Sequence, residues 1–131
     1  MIKTTLPIIV KSIDEEKKSL VVTKKDITVK VDTSVFAEER WEQHFPHNAE
    51  KETIFAYTER VHKQGNKESV AWVLSALKAI YCFMESDELS TFKEFCQIFD
   101  LAEDDYLPKL VEKIKFVFEI ALSSSTASGK N

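Results

Sequence analysis

Ile27-Thr28-Val29-Lys30-Val31-Asp32-Thr33-Ser34-Val35-Phe36-Ala37-Glu38-Glu39-Arg40-Trp41 decides how this chain folds, because its apolar period changes part-way along. Before Asp32 the alternation is strict. Ile27, Val29 and Val31 share one face, and Thr28 and Lys30 take the other, as in a strand with one dry side. After Ser34 the spacing turns helical. Ser34 suits an N-cap, and Glu38 and Glu39 place acid in the following turns, where the helix dipole favours it. Val35, Phe36, Trp41 and Phe45 supply the apolar content, and Pro46 ends the segment. A β front hands over to a helical body near residue 33.

Upstream, residues 6–10 form a short apolar run, and Leu20-Val21-Val22 forms another. Asp14-Glu15-Glu16-Lys17-Lys18 reads as the charged connection between them, and Lys24-Lys25-Asp26 as a tight link to the strand over residues 27–31. This predicts a small antiparallel meander within residues 1–32, wet on one face. Such a sheet is marginal alone and has to lean on a helix. Pro7 marks residues 6–10 as an edge or irregular strand.

Downstream, a second helix is expected from about Ala49 to Lys63, with Glu50 and Glu52 in its first turn and Ile54, Phe55, Tyr57 and Val61 on its apolar side. Gly65 suits a left-handed helix end. A third helix is expected from Asn66 or Lys67. Val70, Val73, Leu74, Leu77, Tyr81 and Met84 recur at helical spacing, and Trp72, Ala76, Ala79 and Phe83 make a second apolar face. A helix apolar nearly all round is a central one, and Ala71, Ala76 and Ala79 would let neighbours come close. Phe92, Phe95, Cys96 and Phe99 suggest a short amphipathic helix.

The last helix should start near Asp105, with Pro108 tolerated in its first turn. Leu107, Leu110, Val111, Ile114, Val117, Phe118 and Ala121 make its stripe. Phe116 and Ile120 lie off that stripe among Lys109, Glu112 and Lys113. This second apolar pair needs a partner, either elsewhere in the chain or on a neighbouring subunit. The pattern stops near Leu122. Ser123-Ser124-Ser125-Thr126-Ala127-Ser128-Gly129-Lys130-Asn131 has no apolar residue larger than Ala127, so residues 123–131 are expected to be a disordered polar tail. Residues 1–122 then form one globular domain. The fold class expected is α+β and predominantly α: a short β meander packed on a bundle of about five helices.

Composition excludes several functions. With 131 residues, 44% hydrophobic and 31% charged, the chain is an ordinary globule of one-domain length. Its net charge is −4, with basic and acidic residues interleaved, which argues against a nucleic-acid surface. Arg40 and Arg60 are its only arginines, and Gly65 and Gly129 its only glycines. Phosphate-cradling loops need several glycines, so neither a P-loop nor a dinucleotide fingerprint can be written. No stretch approaches a membrane span, and the N-terminus does not read as a secretory signal. A cytoplasmic protein is expected. Cys82 and Cys96 lie within apolar helical patterns and read as buried thiols.

Nothing in the residues points to catalysis, a cofactor or a bound metal. His44 and His47 are separated by Phe45-Pro46, which breaks a shared helix face. They read as solvated histidines at a helix end, and His62 as an ordinary surface partner of Glu59. Glu103-Asp104-Asp105 lacks the alternation and central glycine of a calcium loop. The serines and cysteines have no local base or oxyanion loop. Lys17-Lys18 and Lys24-Lys25 are balanced by nearby acids.

The residues 29–45 quoted in part above, then Leu74-Ser75-Ala76-Leu77-Lys78-Ala79-Ile80-Tyr81-Cys82-Phe83-Met84-Glu85, then Thr91-Phe92-Lys93-Glu94-Phe95-Cys96-Gln97-Ile98-Phe99-Asp100 give an order of features similar to one family. Across most of residues 27–122 the chain resembles the tail assembly chaperones of long-tailed phages and prophages of Gram-positive bacteria. The shared motifs are packing motifs. The ending Gly129-Lys130-Asn131 can be encoded GGA-AAA-AAC, which contains the slippery heptamer A-AAA-AAC. The resemblance implies a programmed frameshift there, with residues 123–131 as the linker to an appended domain.

The resemblance further implies a non-catalytic scaffold that coats the tape measure protein, recruits major tail protein and leaves the finished tail. A homo-oligomer with repeated apolar patches suits that work. Phe116 with Ile120, and Ile8 and Val10 on the predicted edge strand, are the candidate contact residues. The competing reading is a small regulatory adaptor or antitoxin-like module.

Overall fold

The structure, a computed structural model, describes residues 2–64, 69–84, 91–99, 101–102 and 105–129. Two strands, β1 (Ile2–Asp14) and β2 (Ser19–Val31), are followed by α1 (Val35–His44), α2 (Pro46–Ala49), α3 (Ile54–His62), α4 (Val70–Phe83), α5 (Phe92–Gln97) and α6 (Tyr106–Gly129). The fold is α+β and mostly α.

The β front is one long hairpin, not a meander. β1 and β2 pair antiparallel over their whole lengths, from Ile2 with Val31 to Asp14 with Ser19. Lys24, Lys25 and Asp26 do not turn the chain. They sit inside β2 opposite Ile9, Ile8 and Pro7. Their charges are tolerated because all three residues are exposed, Lys24 and Asp26 on one side of the ribbon and Lys25 on the other. The real turn is at Asp14, whose Oδ1 accepts from the backbone N–H groups of Glu16 (3.1 Å) and Lys17 (3.2 Å). Lys18 completes it with φ +51°, a left-handed backbone that a residue with a Cβ adopts at a cost.

The root of the hairpin packs on the body. Leu6, Ile8, Ile9, Val29 and Val31 are buried there, with Ile27 partly so. The alternation of Ile27, Val29 and Val31 is therefore realised. Val31 also bridges to Met84, and the Asp32 N–H donates to the Phe83 carbonyl at 2.7 Å. β2 is thus joined to the exit of α4.

Ser34 caps α1 as its side chain accepts from the Phe36 N–H. Ala37 and Trp41 are buried, whereas Val35 and Phe36 are exposed. Pro46 does end α1, but it also opens the short α2, since its fixed φ suits a first turn. The helix expected from Ala49 to Lys63 is broken before Thr53, the N-cap of α3. Two side chains of α1 hold this break. The Trp41 indole N–H donates to the Glu52 carbonyl (3.1 Å), and the Glu38 carboxylate accepts from the Ile54 N–H (3.2 Å). A carboxylate at a helix N-terminus is favourable.

α4 begins at Val70 with Ser69 as its cap, later than the expected Asn66 or Lys67. Gly65 lies outside the described residues, as do Asn66, Lys67, Glu103 and Asp104. From Trp72 onward α4 is buried on most sides, but Val70 and Leu74 face outward, contrary to the predicted stripe. Ala76 and Ala79 are fully buried, while Ala71 is exposed.

Leu110, Val111, Ile114, Val117, Phe118 and Ala121 of α6 are all buried, as the stripe predicts. One continuous core joins them to α1, α3, α4, α5 and the hairpin root. The α6 backbone stays helical through Gly129, past the expected stop near Leu122. Serine, threonine and alanine propagate an established helix at small cost per residue. Lys130 and Asn131 lie outside the described residues.

Candidate protein-interaction surface

The outer part of the hairpin projects from the body as an arm. Beyond Ile9 every residue of β1 and the turn except Asp14 is exposed, and so is β2 up to Asp26. The arm is not polar. Ile13 is 72% exposed and its cross-strand partner Leu20 61% exposed, and Val10, Val21 and Val22 are exposed too. Cross-strand pairs share a face. Ile13, Leu20 and Val22 therefore lie on one side of the ribbon, and Val10 and Val21 on the other. Both sides of the arm thus carry exposed aliphatic side chains, the kind of surface that marks an interaction site.

The two long edges of the hairpin differ. Toward the root, the outer edge of β1 is engaged by the body. The Ile9 N–H donates to the Ile98 carbonyl (3.4 Å), and the Tyr106 hydroxyl donates to the Pro7 carbonyl (2.6 Å). The expected edge over residues 6–10 is therefore docked, and Ile8 is a core residue only 5% exposed. Of the two candidates on β1, Val10 alone stands clear of the core. Sequence reasoning missed Ile13, Leu20, Val21 and Val22. The signal was there, as two apolar runs flanking a charged turn, but the supposed link at Lys24 hid how long the hairpin is.

On α6, Phe116 is 49% exposed. It lines a shallow concavity of about 340 Å³ with Glu112, Lys113, Lys115 and Glu119. Ile120 instead packs partly against the core, so the expected pair is split: its partner is elsewhere in the chain for Ile120, while Phe116 stays open. A second cleft, of about 230 Å³, lies at the root of the arm, between Pro7, Ile8, Ile9, Lys24, Lys25 and Asp26 on the hairpin and Tyr106 and Lys109 on α6. The Phe116 concavity contains none of the hairpin residues.

Both cysteines are taken up by packing against the core. Cys82 is buried, and burial pushes its thiol up to about 12, with the Arg40 charge opposing and Glu38 assisting. Burial also raises the thiol of Cys96. His44 meets Tyr81 edge-on at 5.0 Å, and His47 is exposed. His62 is half-buried against Phe118, with ring centres 6.0 Å apart, and Glu59 pairs with Lys63 rather than with it. Among the described residues no group of three histidine, cysteine or acidic side chains is placed to hold a metal ion. Nor is any helix among them long and apolar enough to cross a membrane. No family model, curated protein or solved structure matches the chain.

Proposed function

We propose that this chain is a non-catalytic holder of other protein chains: a phage tail assembly chaperone that binds the tape measure protein and recruits major tail protein in the host cytoplasm. The observation that carries the reading is the arm, a β-ribbon with aliphatic side chains bare on both faces. A side chain such as Ile13 left in water forgoes roughly 1.5–3 kcal/mol of burial. A fold that keeps several of them exposed on one projection is suited to covering them with another chain. Phe116 offers a further apolar contact on α6. Modest patches of this kind bind a long client tightly when several copies act together. The family resemblance gives the client its name.

The test is co-expression with the tape measure protein encoded in the same genome. The wild-type chain should keep that protein in the soluble fraction and co-purify with it. Ile13→Asp should abolish the retention, and Phe116→Asp should weaken it. A tape measure protein equally soluble with and without this chain would end the proposal.

A further inference from the structure

We infer that two copies of this chain join arm to arm through the outer edge of β2, forming one four-stranded antiparallel sheet. This goes beyond client holding, since it needs no client. The hairpin is a two-stranded sheet, so each strand keeps one outer edge. That of β1 is taken by the body at Pro7 and Ile9, and further out it carries Lys11 and Asp14. Among the described residues, the backbone of β2 and of the residue after it is joined to the body at Val31 and Asp32. Between Lys18 and Lys24, β2 reads Ser19-Leu20-Val21-Val22-Thr23: no charge, no proline, no glycine, and three β-branched residues in a row. Natural edge strands are blunted by inward charges, prolines or bulges. This stretch has none of those devices, and its full pairing with β1 keeps it extended.

Symmetry then fixes the register. Two copies related by a two-fold axis perpendicular to the sheet pair antiparallel, and opposed residues must lie on the same face. The axis therefore passes through a residue, not between two. An axis through Val22 sets Val22 against itself, Val21 against Thr23, and Leu20 against the stem of Lys24. Just past the end of the strand it brings the turn residue Lys18 of each copy toward Asp26 of the other, so the sheet closes with opposite charges at both ends. Moving the axis to Val21 sets Lys18 against Lys24 and Lys17 against Lys25. Moving it to Thr23 sets Leu20 against Asp26. Bringing like charges together is unfavourable, as is setting the apolar Leu20 against a carboxylate, so complementarity selects Val22. The joined arms still present Ile13 and Val10 on their faces, so the contact adds to the client surface and does not consume it.

Light scattering on the purified full-length chain, without client, tests this. The wild type should be a dimer. Val22→Lys places two ammonium groups together on the axis and should give a monomer with an unchanged circular dichroism spectrum. Lys18→Asp should weaken the dimer about tenfold, and the exchanged pair Lys18→Asp with Asp26→Lys should restore it. Val22→Cys should cross-link two copies on mild oxidation, and Ile13→Cys should not. A monomeric wild type, a dimer indifferent to Val22→Lys, a charge exchange that restores nothing, or no cross-link at Val22→Cys would each overturn the inference. Client retention that survives in a Val22→Lys monomer would leave the holder function standing and remove only the dimer.

Discussion

Arg40 grips two elements at once. Its Nη2 lies 3.2 Å from Asp32 Oδ2, and its Nε donates to the Cys82 carbonyl at 2.6 Å. One guanidinium on α1 thereby ties the end of β2 to the last turn of α4. Burial tends to push the Asp32 carboxyl up. The hydroxyl and N–H of Ser34 and the Arg40 charge outweigh it and hold the group below the usual carboxylate range. Asp32 and Ser34 also start α1, because Asp32 Oδ1 accepts from the Ser34 N–H at 2.9 Å while Ser34 caps the helix.

Arg40→Ala should therefore lower stability by about 2 kcal/mol, the loss of hydrogen bonds to a charged group. Arg40→Lys should recover little, since an ammonium cannot serve both acceptors in one plane. The pH dependence has a definite sign. A depressed folded pKa stabilises above the unfolded value and is lost as pH falls through the folded one. Urea midpoints of the wild type should drop as pH falls below about 4, and the Arg40→Ala profile should be flatter across that span.

Tyr106 fastens the arm. Its hydroxyl bond to the Pro7 carbonyl is a direct side-chain clamp between α6 and β1. Tyr106→Phe keeps the buried ring and removes the bond. It should cost about 1 kcal/mol and speed amide hydrogen exchange in residues 8–12 more than in α4. Equal exchange in both segments would show that the clamp does not hold the hairpin.

Ala76 and Ala71 separate packing from propensity. Ala76 is fully buried and Ala71 is exposed on the same helix. Ala76→Leu should overfill the core and cost about 1–3 kcal/mol. Ala71→Leu should stay within about 0.5 kcal/mol of wild type. Thermal melts of the two variants decide this directly.

The thiols should be nearly silent. With Cys82 pushed up to about 12 by burial and Cys96 also raised, neither is a ready thiolate at neutral pH. A disulfide reagent at pH 8 should modify the folded chain slowly, at Cys96 before Cys82, and both quickly in urea. Rapid labelling of Cys82 in the folded chain would contradict its buried position.

Local patterning carried much of this architecture. The switch of period after Asp32, the Ser34 cap and the stripe of α6 all appear where the residues place them. The failures share a cause: long-range contacts override local signals. Lys24-Lys25-Asp26 resembles a turn, yet pairing with Pro7, Ile8 and Ile9 keeps it extended. Glu50 and Glu52 resemble a helix start, yet Trp41 and Glu38 reach from α1 to set it at Thr53. Val70 and Leu74 have the right spacing for burial, but both are exposed on the outer side of α4. The candidate surface was half legible. Phe116 was visible as an apolar residue on a charged face, whereas the arm emerges only once both strands are seen to run thirteen residues.

That length has a mechanical consequence. At about 3.3 Å per residue, the stretch from Val10 to Asp14 sets the tip roughly 15 Å beyond Ile9, the last buried residue of β1. The hairpin is fastened at the middle of β1, by Tyr106 at Pro7 and by Ile98 at Ile9, and at its foot by the bridge from Val31 to Met84. The limb beyond Ile9 is the outer arm of a lever that pivots at these bonds. A tilt of about 10° at the pivot displaces the tip by roughly 3 Å, nearly the distance from one residue to the next along a strand.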